Sequence, residues 1–207
     1  VVLFGALIFA PAGTLGWLNG WIMMGILFIP MMVMGIVMFC SAPELLTKRL
    51  KNKEERTTQK GVVTLSGLLF IVSFIVAGLN YRYHWHTLPT ILPYIASIIF
   101  LIGYAIYAEV MRENAWLSRS IEVMDGQQVV NSGLYGIVRH PMYTATILMF
   151  LMMPLVLGSW WAFLVMVPYI LVIVRRINDE EELLERELDG YLQYKQQVKW
   201  RLLPLLW

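Results

Sequence analysis

The sequence is poor in cysteine, in charge and in histidine, and each shortage closes off a class of protein. A single cysteine, Cys40, in 207 residues leaves no partner for an internal disulfide and rules out a metal site built on cysteines. Charged residues make up 14% of the chain, against about 25% in ordinary soluble domains, too little to clothe a soluble surface of this size. No Gly-x-Gly-x-x-Gly follows a strand-like run and no Walker motif is present, so nothing points to a soluble nucleotide-binding fold. The basic residues lie beside apolar runs and are matched by acids, which argues against a nucleic-acid surface. His84 and His86 stand two apart with no cysteine or acid near them in sequence, so no metal site is expected there.

What the chain has in abundance is apolar length. Hydrophobic residues reach 58%, with eight Trp and thirteen Met, the composition of an integral membrane protein. A span needs about 20 residues to cross a hydrocarbon core of about 30 Å. Val1 to Ala12 would rise only about 18 Å as a helix, so the numbering is expected to start inside a first helix. Ala10-Pro11-Ala12 is a faint match to a signal-peptidase site, and no charged segment precedes it. Trp17 to Cys40, Val62 to Leu79 and Thr90 to Val110 read as further spans, the last with Pro93 near its start, where a missing N–H is tolerated. Asn80 to Pro89, with Tyr81, Tyr83 and Trp85, has the aromatic character of a membrane boundary.

Although the net charge is only +2, its distribution is informative. All acids, and all Lys and Arg except Arg82, fall in Glu44 to Lys60, Glu109 to Arg139 and Arg175 to Arg201. The tendency of Lys and Arg to stay on the cytoplasmic side puts these three stretches together there, with the Lys48 to Lys60 stretch able to touch anionic headgroups. The expected fold is all-α: a polytopic membrane bundle of about four spans plus a C-terminal helical hairpin, with a polar pocket at its cytoplasmic edge. It forms one structural domain, residues 1–110 being the transmembrane region and 111–207 the region that carries chemistry.

Two polar clusters mark that pocket. The first is Gly133-Leu-Tyr-Gly-Ile-Val-Arg139-His140-Pro141-Met142-Tyr143 and the second is Arg176-Ile-Asn-Asp-Glu180-Glu181. Between them lie two apolar halves, Met142 to Leu157 and Trp161 to Val174, broken at Gly158-Ser159-Trp160, so the chain should leave the first cluster and return to it. Beyond Val174 an amphipathic helix is predicted to stop near Asp189-Gly190. Pro141 suits the first turn of a helix, with His140 at the cap and Tyr143 on the same face. The unpaired N–H groups of that helix start, with Arg139 beside them, suit an anionic group; an Arg-His pair so placed also serves simply to mark the interface. Arg176 and Glu180, four apart, share a helix face, and by themselves would form an ordinary solvated ion pair.

Taken together, the run Asn114…Gln127-Gln128-Val129-Val130-x-x-Gly133-x-Tyr135-x-x-Val138-Arg139-His140-Pro141-x-Tyr143, then Arg176-x-x-x-Glu180-Glu181-x-x-Leu184, then Gly190-Tyr191-x-x-Tyr194-x-x-x-Val198-x-x-Arg201-Leu202-x-Pro204, resembles the isoprenylcysteine carboxyl methyltransferase family. That family is related to the membrane phospholipid N-methyltransferases. The Leu188-Asp189-Gly190-Tyr191 turn is shorter than the Phe-Gly-x-x-Tyr form of the eukaryotic enzymes. The resemblance implies S-adenosylmethionine bound at the cytoplasmic edge of a multi-pass protein, of bacterial inner-membrane type. By matching positions, Gln127, Gln128, Val129, Val130, Tyr135, Arg139, His140, Pro141, Met142, Tyr143, Glu180 and Glu181 would contact the cofactor. Arg176 would orient the acceptor and, with Glu180, form the catalytic pair. The implied partner is a lipophilic or prenylated acceptor from the bilayer, among membrane lipids.

A carboxylate acceptor is already nucleophilic and needs alignment and desolvation, which a bidentate Arg176 can supply. An amine must first lose a proton, which would make Glu180 or Glu181 a general base. Two other readings stay open. Sterol-type membrane reductases are distantly similar at the C-terminal end and would bind NADPH instead. A transporter or scaffold would leave Arg176 and Glu180 paired only with each other, although the span interiors lack the buried charge that transporters carry.

Overall fold

The computed structural model describes residues 1–41, 57–85, 88–117 and 122–207. Its helices are α1 (Val2–Ala12), α2 (Leu18–Ser41), α3 (Thr57–Tyr83), α4 (Leu92–Glu113), α5 (Pro141–Val156), α6 (Trp160–Met166), α7 (Tyr169–Glu187) and α8 (Tyr191–Gln197), with a 3-10 turn at Gly133–Gly136. No strand occurs among the described residues. Among the described residues four segments are long and apolar enough to cross a membrane, Leu18–Cys40, Gly61–Tyr83, Leu92–Glu113 and Trp160–Glu187, while Val2–Ala12 and Pro141–Val156 are shorter apolar helices. The all-α membrane bundle expected from the sequence is therefore present. Most of the basic stretch assigned to headgroup contact, residues 42–56, lies outside the described residues.

One boundary differs from expectation. The second apolar half was predicted to run from Trp161 to Val174 and then give way to a separate amphipathic helix. Instead the chain breaks at Val167 and Pro168, and α7 continues unbroken from Tyr169 into the charged segment as far as Glu187. Proline cannot donate its nitrogen to the preceding turn, so the helix restarts with Pro168 as its cap. Beyond it Tyr169, Ile173, Ile177 and Glu181 recur every four residues on one buried face, a register that carries straight across the change from apolar to charged composition. The other break is as expected: Ser159 caps α6, its hydroxyl accepting the Ala162 N–H at 3.2 Å.

In lipid, helices gain little from hiding apolar surface and pack instead through close contact. The most extensive pairing is α4 with α5. Gly103 makes it possible: a Cβ there would lie 2.8 Å from Met149 Cγ and 3.3 Å from the Ala145 carbonyl oxygen. One core, built on Ile8, Trp17, Met23, Phe74, Phe100 and Val156, joins α1 to α5. A second, with Tyr143, Met166, Tyr169, Ile173, Ile177 and Leu202, lies where α5 and α7 meet the C-terminal tail. This second core is the floor on which the polar residues are assembled.

Candidate functional site

The corner at residues 133–143 is shaped from both sides. Gly133 takes φ +49°, and a Cβ on it would fall 1.5 Å from Glu113 Oε1. Only glycine accommodates both the left-handed backbone and that approach. The Glu113 carboxylate at the end of α4 accepts the Leu134 N–H at 3.0 Å, which ties the 3-10 turn to the bundle. The chain then meets its own tail. Arg139 N–H donates to the Trp200 carbonyl and His140 N–H to that of Arg201, each at 2.9 Å. Thr144 Oγ1 adds a bond to the Leu202 carbonyl at 2.8 Å. Pro141 opens α5 with His140 as its cap, the placement read from the sequence.

Behind this corner lies a closed ion cluster centred on Glu181, which is 2% exposed. Its Oε1 accepts Arg139 Nε at 2.7 Å and lies 3.1 Å from His140 Nε2. Since an ionised carboxylate only accepts, the imidazole donates through Nε2. Oε2 takes Arg201 Nε at 3.0 Å, with its NH2 at 2.8 Å and Lys195 Nζ at 3.7 Å. Arg139 directs NH1 to the carbonyls of Val198 at 2.7 Å and Lys199 at 2.8 Å. Through these bonds the guanidinium locks the tail beneath the start of α5.

In front of the corner, Arg176 Nε donates to the Tyr143 hydroxyl at 2.9 Å, and that hydroxyl donates to Glu180 Oε2 at 2.5 Å. This chain forms part of the wall of a cleft of about 840 Å³ of empty space, counting its open mouth. Of the residues expected at a site, Gln127, Gln128, Val129, Val130, Tyr135, Arg139, His140, Met142, Tyr143, Arg176 and Glu180 all line this one cleft. His140 and Glu180, on different helices, therefore face the same space. Pro141 and Glu181 do not line it; Pro141 is buried at the helix start and Glu181 lies in the ion cluster behind.

The cleft also has walls that sequence reasoning did not assign as site residues: Asn114, Trp116, Leu117, Glu122, Leu184, Leu188, Tyr191 and Tyr194. The Tyr191-x-x-Tyr194 spacing, which puts two phenols on one helix face, was the available signal. Tyr194 donates its hydroxyl to the Tyr135 carbonyl at 2.7 Å, and Asn114 Nδ2 reaches the Tyr135 hydroxyl at 2.9 Å. Burial, then the nearby Glu181 and Glu180 carboxylates, push the Tyr191 phenol far above its ordinary pKa. Burial and neighbouring Tyr135 raise that of Tyr194. Both phenols keep their protons.

A second space adjoins the first. Val62, Val63 and Ser66 of α3, Tyr107 of α4, Thr146 and Phe150 of α5 and Tyr169 and Ile173 of α7 enclose about 1090 Å³, again including open space. It shares Leu117, Met142, Tyr143 and Arg176 with the cleft. Arg176 is the only charged residue on its described wall. A polar cleft and an apolar one thus meet at a tyrosine and an arginine.

No curated protein matches the chain. Residues 90–189, from α4 through α7, match the model of the family described as phospholipid methyltransferase (PEMT), and this likeness supports a membrane methyltransferase.

Proposed function

We propose that this protein transfers a methyl group from S-adenosylmethionine to a lipophilic acceptor drawn from the bilayer, most favourably by carboxyl O-methylation of an isoprenylcysteine-like molecule. The observation that carries this reading is the meeting of the two spaces at Tyr143 and Arg176. A methyl transfer between a polar donor and a greasy acceptor needs such a junction, because the reacting atoms must align in the absence of water.

The polar cleft suits the donor in chemistry: small-molecule sites combine an apolar lining with a few convergent polar groups, here Gln127, His140, Arg176 and Glu180 among others. Glu180 would hold the ammonium of its amino-acid end, and Gln127 to Val130, Tyr135 and His140 would line the remainder. Bound there, S-adenosylmethionine supplies an electrophilic methyl on a sulfonium centre. The protein's part is positioning. Tyr143 fixes Glu180 on one side and Arg176 on the other, so the donor-holding carboxylate and the acceptor-holding cation are set by one side chain. Met142 and Leu117, common to both spaces, keep the junction apolar.

The sole charge on the apolar space's described wall is a cation, which favours an acceptor with an anionic head. Arg176 would pair with that carboxylate, which needs no base to attack a methyl. The phospholipid methyltransferase match favours a second reading, N-methylation of a headgroup amine, with Glu180 taking the proton. The positive-inside tendency of the charged stretches favours a site on the cytoplasmic side in either case.

The test is to incubate the protein in native lipid with donor carrying a labelled methyl. The O-methyl reading expects label in the solvent-extractable fraction that mild base releases as methanol. Base-stable label on an amine headgroup selects N-methylation, and absence of label together with no binding of S-adenosylhomocysteine rejects methyl transfer.

A further inference from the structure

Tyr191 differs from every other tyrosine at the cleft. It is 3% exposed and is one of the residues lining the cleft, and its buried hydroxyl has no hydrogen-bond partner among the described residues. Its neighbour on the same helix, Tyr194, is equally buried but donates to the Tyr135 carbonyl. Tyr143 is engaged on both sides. A buried hydroxyl left unpaired is costly, and such groups are uncommon in folded proteins. A phenylalanine would fill the same volume at no such cost, so packing does not explain the oxygen.

Its position does. The Tyr191 ring is anchored in an apolar cluster with Leu188, Tyr194 and Val198, against which Val129 and Leu184 pack. Val129 belongs to the 127–130 segment that forms another wall of the cleft. The charged groups that act on the phenol are Glu181, Glu180 and Arg139, and of these Glu180 and Arg139 line the same cleft as Tyr191. Because it stays protonated beside two carboxylates, it can accept from a cationic N–H and donate to an anionic oxygen.

We infer that Tyr191 is a cofactor-contacting residue whose hydroxyl completes its hydrogen bonding only on the amino-acid end of a bound methyl donor. The inference rests on the methyl-donor reading above and adds to it a residue outside the segment matched by the family model, which ends at residue 189. It assigns to α8 a direct part in ligand recognition in addition to packing beneath the cleft.

Tyr191→Phe separates the possibilities. The full-length protein, purified in detergent, would be titrated with S-adenosylhomocysteine by calorimetry and melted with and without it. The expected result is an unliganded melting temperature equal to or above that of wild type, with affinity weakened about tenfold, as loss of one buried hydrogen bond implies. The ligand-induced rise in melting temperature should shrink accordingly. Tyr194→Phe is the contrast, since it removes a bond present without ligand and should lower the unliganded melting temperature. Equal affinity in wild type and Tyr191→Phe overturns the inference while leaving methyl transfer standing. An unliganded melting temperature that falls in Tyr191→Phe, or failure of that variant to fold, also overturns it, because the hydroxyl is then structural. A wild-type protein that does not bind S-adenosylhomocysteine overturns the methyl-donor reading, and this inference with it.

Discussion

Glu180 and Glu181 are adjacent on one helix and belong to two different regions of the molecule. Glu181 is sealed behind the start of α5, touching Arg139, His140 and Arg201. Glu180 stands on the wall of the cleft with Tyr143 as its partner. Consecutive residues on an α-helix point about 100° apart, so a single step along α7 turns from the inside of the fold to the surface of the site. The two side chains are chemically identical, yet Glu181 should govern whether the corner exists and Glu180 what the corner binds.

The largest effect should come from breaking the sealed cluster. Glu181→Ala would leave the Arg139 guanidinium, itself 6% exposed, with carbonyl partners but no counter-charge. Removing one member of a buried ion pair costs about 3–5 kcal/mol. Thermal melting in detergent should therefore show a pronounced loss of stability, with ligand binding lost only as a consequence. A variant that melts like wild type would show that the tail is held without Glu181, and the contrast between the two carboxylates would vanish.

Glu180→Gln should behave in the opposite way. The amide keeps the shape and an oxygen for Tyr143 to donate to, so stability should change by no more than about 0.5 kcal/mol. Affinity for S-adenosylhomocysteine should fall by about 1.5–3 kcal/mol, the value of a hydrogen bond to a charged group. Arg176→Lys would sharpen the comparison from the acceptor's side. It keeps the charge and loses the planar fork, so cofactor affinity should hold while kcat/KM for the lipid acceptor drops about tenfold, or about 1.4 kcal/mol. A drop in cofactor affinity of the same size would move Arg176 from the acceptor to the donor.

The sequence allowed the corner itself to be read, because its signals are local: Pro141 at a first helical position, Gly133 before it, and an apolar hairpin whose length returns Arg176 and Glu180 to the same edge. It also suggested that Glu181 shares the task of Glu180. That distinction depends on where the tail runs, and the pairing of Arg139 and His140 with Trp200 and Arg201 joins segments some 60 positions apart, with no periodicity to announce it. The break at Pro168 was missed for a different reason. Composition changes after Val174, but helical geometry responds to the missing N–H and not to the onset of charge. Tyr191 and Tyr194 were visible as a spacing, and only tertiary packing tells which hydroxyl is satisfied from within.

The smallest effect expected is at Thr144, and it bears on how the sealed region is divided. Its Oγ1 is the side-chain link from α5 to the Leu202 carbonyl, next to the backbone bonds that already join residues 139 and 140 to the tail. Thr144→Val retains the branched shape and removes that one bond, so a loss of about 1 kcal/mol in melting experiments is expected, with S-adenosylhomocysteine affinity unaltered. If the tail acts on the cleft only by holding Arg139 in place, the Glu181 cluster and the backbone pairs will carry that task without the threonine. A fall in affinity greater than the fall in stability would mean instead that the position of Leu202 is felt in the cleft, and that the boundary between support and site lies further along the tail than Glu181.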